Sequence, residues 1–174
     1  MIILFGLAGS GKSTQGKILA EKMGMEWLSV GQVLRNTGEF DEILRAGELV
    51  DDDKVIELMD KEIRKVRESG REVILDGFPR DIYQAKWVGK NIANDISTAI
   101  FLNVPKEELL KRINDRGRAD DTEEAIKRRF KIVEENIRGI LEILGKAGVR
   151  IEEVSGVGTI EEVTERLIKV GFEE

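Results

Sequence analysis

The sequence predicts an α/β fold: a parallel five-stranded sheet with helices on both faces. Two observations predict the layers. Short apolar runs such as Ile2-Ile3-Leu4-Phe5 and Val73-Ile74-Leu75 alternate along the chain with stretches of helical periodicity. A parallel strand covered on both faces has no solvent side, so it reads as a continuous run. The 174 residues suit one domain with a real core, and no linker, internal repeat or low-complexity tract divides them.

The first strand ends in glycines, and helical spacing begins after Gly11, with Ile18, Leu19 and Met23 apolar and Gln15, Lys17, Glu21 and Lys22 polar. Gly24 stops that helix. Trp27-Leu28 predicts a second strand, and residues 31 to about 47 read as short helical pieces broken by Gly31, Gly38 and Gly47. The Asp run from Asp51 caps a helix whose stripe is Val55, Ile56, Leu58, Met59, Ile63 and Val66. Val73-Ile74-Leu75 is the third strand, ending at Asp76-Gly77, and a helix over about 82–92 follows it. Ala99-Ile100-Phe101-Leu102 is the fourth, after which Pro105 opens a helix over 106–115. Apolar residues at 126, 130, 133, 137, 140, 141 and 144 predict a long amphipathic helix over 122–144. Residues 149–154 read as the last strand, and Thr159 with Glu162 as a capping box before the final helix.

Composition narrows the chemistry. The chain has no Cys and no His, which removes disulfides, thiolate metal sites and the usual neutral-pH general base. Catalysis must rest on carboxylates, Lys, Arg, hydroxyls and backbone amides. A net charge of −6 argues against nucleic acid as a partner. The opening apolar run is too short to span a membrane and lacks the marks of a signal peptide, so no membrane partner and a cytoplasmic location are expected.

Gly6-Leu7-Ala8-Gly9-Ser10-Gly11-Lys12-Ser13 fits G-x-x-x-x-G-K-[ST], between a buried strand and a helix, which makes the expected α/β fold one of P-loop NTPase type. In such a loop consecutive N–H groups, here around Gly9, Ser10 and Gly11, turn inward on a phosphate, and the helix adds its positive end. Lys12 supplies a point charge, the Ser13 hydroxyl suits Mg2+, and Thr14 completes the ATP-binding set. Asp76, ending the third strand, is the matching acid for the metal, directly or through water.

The element Asp76-Gly77-Phe78-Pro79-Arg80 and the run Ser29-Val30-Gly31-Gln32-Val33-Leu34-Arg35, with the phosphate loop and the spacing Arg112-x-x-x-Arg116, resemble the adenylate kinase family of nucleoside monophosphate kinases. The likeness holds in register over nearly the whole chain. It implies transfer of a phosphoryl group from ATP to AMP with Mg2+ as cofactor. Arg35 and Arg80 would hold the AMP phosphate; Leu49 and Val50 would border its base, with Val30 near it; Gly77 would belong to the AMP-binding set, and Gln84 would read the adenine edge. Arg112 would lie beside the ATP base, while Arg116, Arg118 and Arg129 would converge on the transferring group with Lys12 and Arg80. Asp120 and Asp121 would brace those arginines or contact ATP, and Val157 and Gly158 would meet the ATP adenine through their backbone. Independently, transfer between two anions needs positive groups on the equatorial oxygens, and an ionised acceptor needs no general base. Lys127 and Arg128 read as a solvated helix face.

The chain departs from the family pattern in places. Only Gly117 separates Arg116 from Arg118, where long members carry a folded lid, so the lid is expected to be a short loop over about 116–122. The small acceptor-binding helical insertion, about 30–60, is trimmed between Arg35 and Ala46. Val30 stands where adenylate kinases usually have Thr, which loosens the preference for AMP towards CMP or UMP. Ser13 stands where the family commonly has Gly. A UMP/CMP kinase is therefore the alternative acceptor reading. A non-catalytic nucleotide module is disfavoured, because no Asn-Lys-x-Asp element occurs and the phosphate-facing arginines all persist. Oligomeric state is not legible.

Overall fold

The computed structural model describes residues 1–117 and 121–172, without the side chain of Arg116. Strands β1 (Ile2–Phe5), β2 (Glu26–Ser29), β3 (Val73–Asp76), β4 (Thr98–Asn103) and β5 (Arg150–Ser155) form one parallel sheet in the order β2-β3-β1-β4-β5. They are joined through α1 (Lys12–Met23), α2 (Val30–Thr37), α3 (Asp41–Ala46), α4 (Asp52–Glu68), α5 (Ile82–Asn91), α6 (Lys106–Arg116) and α7 (Glu123–Lys146), and α8 (Ile160–Phe172) ends the chain.

The apolar runs divide by parity, since successive strand residues point to opposite faces. Ile3, Phe5, Val73, Leu75 and Ala99 join a core under α4, α5 and α7, with Met59, Val88 and Leu144. Ile2, Leu4, Ile74, Ile100 and Leu102 join a second core with Leu19 of α1 and Leu167 of α8. A third cluster, Leu109 and Ile113 of α6 with Ile126 and Phe130 of α7, packs against Leu7 and Ala8. The phosphate loop is therefore supported from its side by two helices as well as from the sheet.

The structure shifts some boundaries and roles. Gly31 does not break a helix; it lies inside α2, whereas Gly38 and Gly47, both at φ 70, terminate α2 and α3. Met23 is 40% exposed, and the packed face of α1 is Gln15, Gly16, Leu19 and Ala20. Gln15 tolerates burial because its amide donates to the Ile160 carbonyl at 3.0 Å and accepts from the Thr164 hydroxyl at 2.7 Å. The last strand starts one residue later than its pattern suggests. Its polar alternation fits a sheet edge, where Asn103 donates to Glu153 at 2.7 Å. The Asp51 cap and the Thr159–Glu162 capping box form as expected. Among the described residues no helix is long and apolar enough to cross a membrane.

Candidate functional site

A cavity of about 570 Å³ opens at the carboxyl ends of β1 and β3, the place where open parallel sheets bind ligands. Gly9, Ser10, Gly11, Lys12, Ser13 and Thr14 line one end of it. Gly9 needs its missing side chain twice over: its φ is 84, and a Cβ would stand 2.8 Å from the Leu109 carbonyl oxygen. Lys12 donates through Nζ to the carbonyls of Gly6 at 2.8 Å and Leu7 at 2.9 Å, so its charge is held over the loop. Register pairs Leu4 with Asp76, which carries that carboxylate to the first turn of α1, and Ser13 Oγ donates to Asp76 Oδ2 at 2.7 Å. A hydroxyl and a carboxylate in contact form a hard-oxygen pair, and Mg2+ takes one or two such protein ligands beside waters and phosphates.

Arg35, Leu49, Gly77, Arg80 and Arg129 line the cavity as well. Arg80 is held by its Nε donating to the Gly77 carbonyl at 3.0 Å. Burial pushes its guanidinium down to about 10, with Asp76 opposing the shift and Arg129 and Arg35 adding to it. It remains a cation at neutral pH, and mutually repelling cations of this kind gain from an anion placed among them. Gly31 leaves room for this cluster, since a Cβ there would touch both nitrogens of the Arg35 fork at 3.4 Å and Arg80 at 3.5 Å.

The other expected residues are placed as follows. Arg112 and Gly158 line the cavity. Arg112 donates to Glu108 at 2.8 Å and to the Gly156 carbonyl at 3.1 Å. Val30, Val50 and Gln84 are buried behind the acceptor end and do not form its wall. Val157 is 43% exposed and borders a separate shallow groove with Asn103 and Pro105. Arg118, Asp120 and the side chain of Arg116 lie outside the described residues. Asp121 does brace an arginine, accepting from Arg129 at 3.0 Å.

Sequence reasoning missed how α7 meets the arm over residues 30–51 that carries α2 and α3. Arg129 also donates to the Leu44 carbonyl at 2.9 Å. Arg128 is no idle surface group: it reaches the Ala46 carbonyl at 3.3 Å and Glu48 at 2.7 Å. Gly47, at φ 70, brings the arm so close that a Cβ would meet the Ala125 carbonyl oxygen at 2.6 Å. Ile132, Val133, Ile137 and Ile140 of α7 add an apolar wall. The glycine after an apolar arm was a signal for close approach; its partner 78 positions away was not legible.

A family model described as "Adenylate kinase" matches residues 4–149. The chain is 33% identical over 179 residues to the adenylate kinase of Mycobacterium ulcerans (strain Agy99), covering 97% of each. It is 35% identical over 183 residues to that of Bacteroides fragilis (strain YCH46), covering 97% of this chain and 96% of the other. The adenylate kinase of Mycobacterium tuberculosis (strain ATCC 25177 / H37Ra) is 34% identical over 179 residues, with 97% of each covered.

Proposed function

The chain belongs to the adenylate kinase family of phosphotransferases, and on that premise we propose that it catalyses the reversible reaction ATP + AMP = 2 ADP. One observation carries the reading: a single cavity has the phosphate loop at one end and Arg35, Arg80 and Arg129 on its walls. A protein that only held a nucleoside triphosphate would have no use for that second set of cations.

The loop amides and Lys12 hold the donor's phosphates, and Arg35 and Arg80 hold the acceptor's phosphate. An ionised oxygen of AMP attacks the γ-phosphorus, a P–O bond forms, and the bond to the β-bridging oxygen breaks with its electrons leaving on ADP. No proton moves, which agrees with a site built without histidine. The charge that spreads over the equatorial oxygens is met by Arg80, Arg129 and Lys12, with Arg116 at the end of α6 and Arg118 as the further candidates that the family resemblance implies. Ser13 and Asp76 would hold Mg2+, which screens phosphate charge when bound. Closure of the arm that carries α2 and α3 onto α7 would help to exclude water.

The test is a complex with an analogue in which two adenosines are joined through their phosphates. Contacts of its phosphates with both Lys12 and Arg80 are expected, and failure to bridge them would refute the two-site scheme. Parallel assays with AMP, CMP and UMP test the acceptor. AMP is expected to give the highest kcat/KM; a lead for UMP would remove the base-reading role of Gln84, and a lead for CMP would replace AMP as the acceptor.

A further inference from the structure

The acceptor end contains a buried amide whose orientation is set from two sides. Gln84 lies in the first turn of α5, where Asp81 caps the helix by accepting from the Gln84 N–H at 2.9 Å. Its residue is 1% exposed. Its Oε1 accepts from the Arg80 backbone N–H at 2.9 Å, and its Nε2 donates to Asp52 Oδ1 at 2.8 Å. Gln84 thus ties Arg80, which lines the cavity, to the start of α4, three positions beyond Leu49, which lines it too.

An amide oxygen has two lone pairs and an amide nitrogen two protons. With one of each engaged, one acceptor and one donor are left, side by side and in a fixed order. Turning the amide over would set its NH2 against the Arg80 N–H and its oxygen against the Asp52 carboxylate, two repulsive pairs in a buried place. The remaining acceptor-donor order complements a base that offers an amino group beside a ring-nitrogen lone pair, as adenine and cytosine do. It opposes hypoxanthine and uracil, which offer a carbonyl beside a ring N–H.

We propose that Asp52 is a specificity-determining positioning residue: by holding the Gln84 amide in one orientation it selects acceptors with an amino-bearing base edge and rejects IMP and UMP. Gln84 is buried just behind the cavity wall in this structure, and the inference rests on the reading that it faces the acceptor base once the nucleotide displaces that wall. Cytosine shares adenine's edge pattern, so Asp52 does not separate AMP from CMP; that choice falls to the size of the apolar surroundings.

The experiment compares AMP with IMP, which differ at this edge and not in size, as acceptors for the intact enzyme. In Asp52→Ala the AMP-to-IMP ratio of kcat/KM is expected to fall by about tenfold, through the acceptor KM, with the KM for ATP unchanged. Asp52→Asn keeps a carbonyl oxygen for Nε2 and is expected to restore most of the ratio. Asp52→Leu, which keeps the branched shape and has no acceptor, gives the same reading if the alanine variant proves unstable. A ratio that stays at the wild-type level in Asp52→Ala and Asp52→Leu but collapses in Gln84→Ala would overturn the role of Asp52 alone. A ratio untouched by Gln84→Ala would overturn the base-reading assignment and this inference with it.

Discussion

The two ends of the cavity are held in different ways. At the phosphate loop, Lys12 binds the carbonyls of Gly6 and Leu7, partners six and five positions away in the chain. At the acceptor end, Arg129 binds a carbonyl 85 positions away and Arg128 a carboxylate 80 positions away. The first is a cradle that its own local sequence shapes. The second is a junction between distant segments, and its closure rests on a few hydrogen bonds, one exposed ion pair and the close approach at Gly47. Damage to the cradle should therefore appear in the chemistry, and damage to the junction in acceptor binding.

The largest expected effect is at the cradle. Lys12→Met should lower kcat by about a hundredfold to a thousandfold with little change in the KM for AMP, read from steady-state rates. An equal rise in that KM would show that the two ends are not separable. At the junction, Gly47→Ala places a Cβ against the Ala125 backbone at a φ of 70. A strain of one to two kcal/mol on this arm should raise the KM for AMP by about tenfold and leave that for ATP unchanged.

Smaller effects sharpen the contrast. The Arg128–Glu48 pair is half exposed, so Arg128→Ala should raise the KM for AMP only about twofold to fivefold. That difference should shrink in about 0.5 M salt, where exposed pairs are screened. The smallest effect concerns pH. Burial, with a hydrogen bond to Asp52 next, pushes the Asp81 carboxyl up to about 6 from its ordinary 3.8. The folded state thus holds the proton more tightly than the unfolded chain does. The resulting stabilisation is fully present below 3.8 and is lost as pH rises through about 6. The melting temperature of the wild type relative to Asp81→Asn should fall over that window, and a flat difference would mean that the carboxyl carries no such proton.

Much of the cradle was legible because its causes are local. A loop that must point successive amides at one phosphate needs glycines at set positions, and Gly6 and Gly11, followed by Lys12 and Ser13, stand at them. The inner strands were legible because burial on both faces favours continuous apolar runs. Gln15 was not, since a buried amide looks like a surface one until the Thr164 hydroxyl and Ile160 carbonyl that satisfy it are brought beside it. Arg128 was misread for the same reason. Nothing near it in the chain distinguishes a solvated arginine from one that reaches Glu48.

By itself, then, the sequence determined the strands, the helices on both faces of the sheet and the phosphate loop, because periodicity and backbone geometry act over a few residues; the arginine set was legible only through the family resemblance. Tertiary structure alone decided that Ser13 meets Asp76, that the trimmed acceptor arm docks on α7 through Gly47, and that Gln84 is held between Arg80 and Asp52. Those contacts join segments tens of residues apart. Only the packing of the sheet and its helices brings such partners within hydrogen-bonding distance, where desolvation makes each pairing count.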